Sequence, residues 1–173
     1  MIRFRATYLL IAVNIVVFLI GWQQPLENWT DVMGYGFTHE RPIHLLFNMF
    51  ALLTFGLGVE RVMGSVRMYW CYIAALVAGG VAQLLFQPGA PVIGASAGIY
   101  GLLFAYSLAN RNKPVLLLVF PMKAQTLAII AIAVELLCVA FGWLPGIAHF
   151  AHLGGVAAGG VAWVLWSRKH GQV

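Results

Sequence analysis

Six apolar runs constrain this chain more than any other feature of its sequence. Single charges or polar clusters separate the runs, which are Ala6–Trp22, Ile43–Gly58, Val66–Phe86, Ser96–Ala109, Lys123–Gly142 and His149–Ser167. A helix of about 20 apolar residues crosses the roughly 30 Å hydrocarbon core of a bilayer. Since 62% of the residues are hydrophobic and only 9% are charged, we predict an all-α membrane protein. The runs leave no room for a soluble domain, so a single domain, a six-transmembrane-helix bundle, is expected over residues 1–173.

The N-terminal run has a second interpretation, a cleaved signal peptide, because Arg3 and Arg5 precede it. The run is long for a signal peptide, and no A-x-A-like cleavage site follows Gly21. We therefore interpret it as the first span. Cys71 and Cys138 fall inside spans, where a free cysteine behaves as a small apolar residue. Neither a disulfide nor a metal site is indicated, and no cofactor is expected.

The basic residues predict the orientation of the bundle. With six spans both termini share a side, and nine of the ten Lys and Arg fall on that side. These nine are Arg3, Arg5, Arg61, Arg67, Arg111, Lys113, Lys123, Arg168 and Lys169. Cytoplasmic loops carry such an excess, so both termini are expected in the cytoplasm of a multi-pass cell-membrane protein, of the kind found in the bacterial inner membrane. Anionic membrane lipids explain the positive charge, and no nucleic-acid partner is required.

Four polar side chains are predicted to share one depth in the membrane. Spans two, four and six run inward from the outer surface, and a helix rises about 1.5 Å per residue. Counting back from the cytoplasmic ends puts Ser96 and His152 roughly 21 and 24 Å up their helices, and Asn48 and His44 roughly 18 and 24 Å up theirs. The fourth helix is therefore too short to cross and begins inside the membrane. The preceding Pro88–Pro91 segment then dips inward as irregular backbone, which is tolerated where it is buried or lines an aqueous cavity. Such a cavity would open to the extracytoplasmic side.

The residues around Ser96 suit a nucleophile. In the segment GASAG, Ser96 stands at a helix N-terminus among small residues, where free N–H groups favour a developing oxyanion. Gly155 and Gly159 follow His152 on one helical face and are expected to pack against the Gly98 and Gly101 face of span four. That close approach would bring the imidazole to the Ser96 hydroxyl.

Further polar residues line or support this layer. His44 and Asn48, four residues apart, share a face and could donate to an oxyanion. Tyr100 lies one turn below Ser96 and could pack beneath the imidazole. His149 precedes His152 by one turn and is placed at the cavity mouth, and His39 in the outer loop either caps the cavity or is solvated. For the other buried polar residues, structural interhelical hydrogen bonds are the favoured interpretation: Asn14, Gln83 and Glu135.

Several separated motifs, in order, resemble those of the rhomboid intramembrane proteases. The segment from His44 to Asn48 resembles the HxxxN of the family's second helix, and Glu60 with Gly64-Ser65 resembles the turn into its third. Gly94-Ala95-Ser96 resembles the nucleophile motif, and the segment from Ala151 to Gly159 resembles the AHxxGxxxG of the sixth helix. The chain therefore resembles a rhomboid of the compact, six-span bacterial type.

The resemblance implies a Ser96–His152 catalytic dyad without a third, acidic member. It implies an oxyanion hole from His44, Asn48 and the Ser96 backbone N–H, with Tyr100 beneath the imidazole. The implied reaction is hydrolysis of transmembrane segments of single-span membrane proteins near the extracytoplasmic side. Gly94, Gly155 and Gly159 would support the site. The chain departs from the family pattern at Ala97, where a glycine is usual, and at Trp29-Thr30, where a Trp-Arg pair is common.

Three other functions fit the sequence less well than a serine protease does. A metalloprotease is disfavoured because His39-Glu40 does not continue into HExxH and Pro42 interrupts the helix. A catalytically silent rhomboid-like chaperone or binding scaffold is the more serious alternative, although such relatives typically lack the serine or the histidine. A transporter would be expected to carry polar residues through both leaflets, whereas these stop about halfway.

Overall fold

The computed structural model describes residues 5–117 and 120–169, which form a bundle of helices. The helices are α1 (Ala6–Leu19), α2 (Pro42–Met63), α3 (Ser65–Phe86), α4 (Ser96–Ala109), α5 (Ala124–Phe141) and α6 (His149–Lys169). Helix α2 contains a π-helical turn at Leu52–Gly56, and short 3-10 segments at Trp29–Met33 and Tyr35–Phe37 precede it. The ends of the predicted 1–173 domain, including Arg3, lie outside the described residues.

The described helices overlap all six predicted runs, although α2 continues beyond Gly58 to Met63 and α1 ends at Leu19, before Trp22. Four of them are long and apolar enough to cross a bilayer, namely α2, α3, α5 and α6, while α1 and α4 are shorter apolar helices. Helix α4 runs from Ser96 to Ala109, as the sequence predicted. The structure therefore supports a membrane helical bundle, and the count of six crossings stays a prediction.

A β-hairpin interrupts the all-α architecture between α4 and α5. Strand β1 (Pro114–Leu117) pairs antiparallel with β2 (Phe120–Lys123), with Val115 opposite Met122. Val115 is buried and belongs to the hydrophobic core. This hairpin was not predicted, and it adds one two-stranded element to the helical bundle that was expected.

Helices α3, α4 and α6 pack against one another through small residues. A Cβ added at Gly155 would collide with the carbonyl of Ala97, and one added at Gly159 with the carbonyl of Gly101. Close backbone approach of this kind drives helix association in membranes, where apolar burial supplies no driving force. Gly101 thus meets α6 as expected. The expected contact of Gly98 with α6 is wrong, because a Cβ there would meet the ring of Tyr72 on α3.

Glu60 joins three helices at the opposite end from the site. Its carboxylate accepts hydrogen bonds from the N–H groups of Ala6 and Thr7 at 2.9 and 3.3 Å, and from the Thr7 hydroxyl at 2.6 Å. It also accepts from the Ser65 hydroxyl at 2.5 Å. A negative group at a helix N-terminus satisfies free N–H groups and complements the helix dipole. Glu60 therefore caps α1 and fixes the turn into α3.

The segment between α1 and α2 holds the backbone that precedes α4. The Leu26 N–H donates to the carbonyl of Val92 at 2.7 Å, and the Gly94 N–H donates to the carbonyl of Tyr35 at 3.0 Å. The Tyr35 hydroxyl donates in turn to the carbonyl of Leu76 on α3 at 2.8 Å. The backbone just before Ser96 is thus held to the neighbouring segment at Val92 and Gly94, and Gly94 is buried, whereas Pro88 and Pro91 are exposed.

Candidate active site

Ser96 is the first residue of α4 and follows a tightly held turn. Gly94 has a φ of +120°, a conformation that favours glycine. The N–H of Ala95 lies 3.5 Å from Nε2 of His39, a weak hydrogen bond. Because the first four N–H groups of a helix have no partner within it, the Ser96 N–H is not used by the hydrogen bonding of α4 itself.

The imidazole of His152 lies within hydrogen-bond reach of the Ser96 hydroxyl. Nε2 of His152 is 2.7 Å from Oγ of Ser96, although the two residues are 56 positions apart in the chain. His152 is buried and Ser96 partly so. The close packing of Gly155 on Ala97 brings the two helices together at this point. A hydroxyl paired with an imidazole in this way is the arrangement of a nucleophile and its general base.

Tyr100 stacks on the imidazole of His152. The two ring centroids are 4.3 Å apart and the rings are inclined by only 5°. Tyr100 lies one helical turn after Ser96 on α4, so the phenol and the Ser96 hydroxyl project from the same face of that helix. The stacked phenol restricts rotation of the imidazole and keeps it in the plane in which Nε2 faces Ser96.

His44 and Asn48 lie on the face of α2 that meets the turn before Ser96. A Cβ added at Gly94 would lie 2.8 Å from Nε2 of His44 and 3.9 Å from Nδ2 of Asn48. A side chain at position 94 would therefore be strained by φ and would press on the His44 ring. Nδ2 of Asn48 donates to the carbonyl of His44 at 3.0 Å, which uses one of the two amide protons. Both side chains thus lie beside the backbone that leads into Ser96.

His39 is fully buried at the edge of this group, so the solvated alternative for it is wrong. Its ring meets that of His44 edge to face, with centroids 5.1 Å apart. Burial, with His44 beside it, lowers the pKa of His39 to about 4. At neutral pH its ring is therefore uncharged, and Nε2 can accept the Ala95 N–H.

Ala97, where the family usually has glycine, is accommodated by a glycine on the neighbouring helix. Its side chain is buried, and a Cβ added at Gly79 of α3 would lie 2.6 Å from the Cβ of Ala97. The two positions are thus complementary: the methyl group of Ala97 occupies space that Gly79 leaves free. The substitution leaves the 2.7 Å contact between Ser96 and His152 in place.

Glu135 is the site neighbour whose position was not predicted. It makes interhelical hydrogen bonds, as expected, but its partners are site residues: His152, Tyr100 and His149. His149, expected at a cavity mouth, is buried in this group. Counting residues along the helix could have placed Glu135 in the site. It lies twelve residues after Lys123, or roughly 18 Å along its helix, which is the depth counted for Asn48.

Among the described residues, Asn14 and Gln83 donate hydrogen bonds within or near the end of their own helices, and not to another helix as predicted. Nδ2 of Asn14 donates to the carbonyl of Leu10 at 2.7 Å, and Nε2 of Gln83 donates to Oε1 of Gln87 at 3.3 Å. Asn14 therefore makes the same bond, to the carbonyl four residues before it, that Asn48 makes in the site. Because of this similarity, the variant Asn14→Ala is a matched control for Asn48→Ala.

Comparisons with known proteins show which family the chain resembles. The family model of the Rhomboid domain matches residues 26–169. RHOMBOID-like protein 4 of Arabidopsis thaliana is 33% identical over 158 residues, which cover 87% of this chain and 35% of that protein. Rhomboid-related protein 3 of Homo sapiens is 35% identical over 155 residues, covering 81% of this chain and 37% of that protein. Rhomboid protease GluP of Bacillus subtilis is 34% identical over 120 residues, covering 67% and 22%. The chain thus spans about a third or less of the length of these three relatives.

Proposed function

This chain belongs to the rhomboid family, and we propose that it is a serine-type intramembrane endopeptidase. The substrates are single-span membrane proteins, cut within their transmembrane segments near the extracytoplasmic side. The observation that carries this proposal is the 2.7 Å contact between Oγ of Ser96 and Nε2 of His152. One of the relatives, GluP, is named as a rhomboid protease, which supports the same activity.

The reaction follows from the two groups in contact. Oγ of Ser96 attacks the carbonyl carbon of the scissile peptide while Nε2 of His152 takes up the hydroxyl proton. His152 then delivers that proton to the departing amine as the C–N bond breaks, leaving an acyl-enzyme on Ser96. Water, deprotonated by His152, hydrolyses the ester and regenerates the serine. Tyr100 keeps the imidazole in one plane through these steps.

The negative oxygen that forms during each attack needs donors. We assign this role to the Ser96 backbone N–H and to the side chains of His44 and Asn48, which lie beside Gly94. Donors aimed at a developing charge in a water-poor site contribute more than they would in water. Gly94 permits their approach, and Gly155 and Gly159 keep α6 close enough for His152 to act.

The proposed topology has six crossings with both termini in the cytoplasm. The N-terminal end of α4, which carries Ser96, then lies toward the extracytoplasmic side and receives substrate from there or from the surrounding lipid. Both the positive-inside pattern and the start of α4 at Ser96 support this arrangement.

A cleavage assay separates this activity from the alternative, a silent membrane scaffold. Purified protein in detergent is mixed with a single-span substrate labelled at both ends, and the products are measured by mass spectrometry. We expect two fragments from one main cut inside the substrate's transmembrane segment, toward its extracytoplasmic end. A substrate that is bound but recovered intact would contradict the protease and favour the scaffold.

Asn48→Ala is expected to weaken catalysis without removing it, because the Ser96 N–H and His44 remain as donors. Loss of one oxyanion donor typically lowers kcat by about 10²–10³-fold. The matched control is Asn14→Ala, which deletes the same kind of side-chain bond to a carbonyl four residues earlier, away from the site. The control should leave kcat per folded molecule within about twofold of the wild type. An unchanged kcat in Asn48→Ala would show that Asn48 has only a structural role.

A further inference from the structure

Glu135 on α5 is a buried acid with hydrogen-bond partners on two other helices. Its Oε1 lies 2.8 Å from Nδ1 of His152 and 2.5 Å from the hydroxyl of Tyr100. Its Oε2 lies 2.5 Å from Nδ1 of His149. Only 4% of the residue is exposed. A carboxyl group at this depth is costly unless it is paired, so its position calls for an explanation.

The protons of His149 are constrained by its neighbours. Nε2 of His149 lies 3.1 and 3.3 Å from the carbonyl oxygens of Trp143 and Leu144, which can only accept, so Nε2 carries a proton. Nδ1 faces Oε2 of Glu135, and one proton lies between the two atoms. With that proton on Nδ1, the pair is an imidazolium and a carboxylate. The Glu135–His149 pair is thus neutral as a whole. Oε1 remains a carboxylate oxygen, to which the Tyr100 hydroxyl and Nδ1 of His152 can both donate.

The same carboxylate fixes the tautomer of His152. A proton on Nδ1, donated to Oε1 of Glu135, leaves Nε2 with a lone pair directed at the Ser96 hydroxyl. Only this tautomer can act as a general base toward serine. Tyr100 contributes twice, because its ring stacks on the imidazole and its hydroxyl donates to the oxygen that holds Nδ1.

We propose that Glu135 completes a Ser96–His152–Glu135 triad in this chain, as a positioning residue that His149 balances in charge. This inference rests on the proposed protease function and replaces the acid-free dyad that the family resemblance implied. When His152 takes the proton of Ser96, the resulting imidazolium lies 2.8 Å from a carboxylate that stabilises it. Glu135 holds its negative charge throughout, and the proton passes from Ser96 to His152 to the departing amine.

Glu135→Gln tests the triad by replacing the carboxylate with a group of the same shape. The glutamine amide can donate to Nδ1 and so favours the wrong tautomer of His152. We expect kcat to fall by about 10³–10⁴-fold with KM little changed, as for loss of the acid in other serine proteases. Glu135→Asp keeps a carboxylate, and its kcat should be at least about tenfold higher than that of Glu135→Gln. A kcat of Glu135→Gln within threefold of the wild type would overturn the proposal.

Glu60→Gln is the matched control, since Glu60 is also a buried glutamate that accepts several hydrogen bonds. This variant should lower the melting temperature and leave kcat per folded molecule within about twofold of the wild type. An equal loss of kcat in both glutamine variants would mean that losing any buried carboxylate disturbs the bundle, and would overturn the specific role of Glu135.

Nitrogen NMR of the wild type provides a second test that does not depend on turnover. In protein labelled with ¹⁵N-histidine, His152 should be protonated at Nδ1 and unprotonated at Nε2, and His149 should be protonated at both nitrogens. His152→Ala and His149→Gln assign the two sets of signals. A proton on Nε2 of resting His152 would overturn the triad. Failure of the cleavage assay would contradict the protease function and leave this NMR measurement unaffected. A failure of the protease proposal and a failure of the triad proposal are therefore distinguishable.

Discussion

Replacing Ser96 with alanine is expected to abolish cleavage of a transmembrane substrate. Without Oγ there is no atom to form the acyl-enzyme, and the imidazole of His152 loses the group that it activates. In serine proteases, loss of the nucleophile lowers kcat by about 10⁶-fold, which is below detection in a gel or mass-spectrometric assay. The protein should still bind substrate, because the hydroxyl contributes little to binding.

Ser107→Ala is the control for this result. Ser107 lies on the same helix, is buried, and donates its hydroxyl to the carbonyl of Phe104 at 2.7 Å. Its replacement removes a helical hydroxyl of the same kind away from His152, and activity should stay within about twofold of the wild type. Cleavage by Ser96→Ala at a rate similar to that of Ser107→Ala would refute the assignment of the nucleophile.

His152→Ala is expected to lower kcat by about 10⁴–10⁶-fold, since the serine then has no base to accept its proton and the amine has no acid. Because the proposed mechanism uses Ser96 and His152 in the same step, the losses from the two single variants should not add. The double variant Ser96→Ala/His152→Ala should be no slower than the slower single variant.

Folding must be checked for His152→Ala, because the variant removes a buried side chain that Tyr100 stacks on and Glu135 holds. Adding free imidazole to the assay provides that check, since it can occupy the space left by the side chain and restore part of the rate. A folded His152→Ala variant with a kcat within tenfold of the wild type would contradict the role of His152 as the base.

The helices could be predicted from the sequence because their signal is local. The length of each apolar run is set by the bilayer, and the boundaries of α4 at Ser96 and Ala109 were predicted correctly. The proximity of Ser96 and His152 also had a sequence signal, the small residues at Gly155 and Gly159. Close approach of two helices at such residues follows from the absence of side-chain bulk.

The contacts that were not predicted depend on more than one segment at once. The hairpin pairs Pro114–Leu117 with Phe120–Lys123, and an isolated two-stranded hairpin has little stability of its own. The burial of Val115 in the core provides the missing support, which no local pattern reveals. Gly98 was assigned to the wrong neighbour because a glycine in a helix identifies a close contact without identifying the partner.

The role of Glu135 was missed for a related reason. Its depth could be counted from Lys123, but the direction of its side chain depends on how α5 is rotated against α4 and α6. Once that rotation is fixed, one carboxylate reaches His152, Tyr100 and His149 together. A buried acid at the depth of a candidate nucleophile is therefore a useful sequence signal even where the family pattern does not include an acid.

The most direct test of the central claim is to identify the residue that becomes covalently modified by a fluorophosphonate, a reagent that phosphonylates activated serines. Purified protein is treated with it, the intact mass is measured, and the modified peptide is mapped. The chain has four serines, Ser65, Ser96, Ser107 and Ser167. We predict one adduct per chain, on Ser96, formed rapidly in the wild type and far more slowly in His152→Ala. An adduct on another serine, or equal rates of modification in the two proteins, would contradict the account.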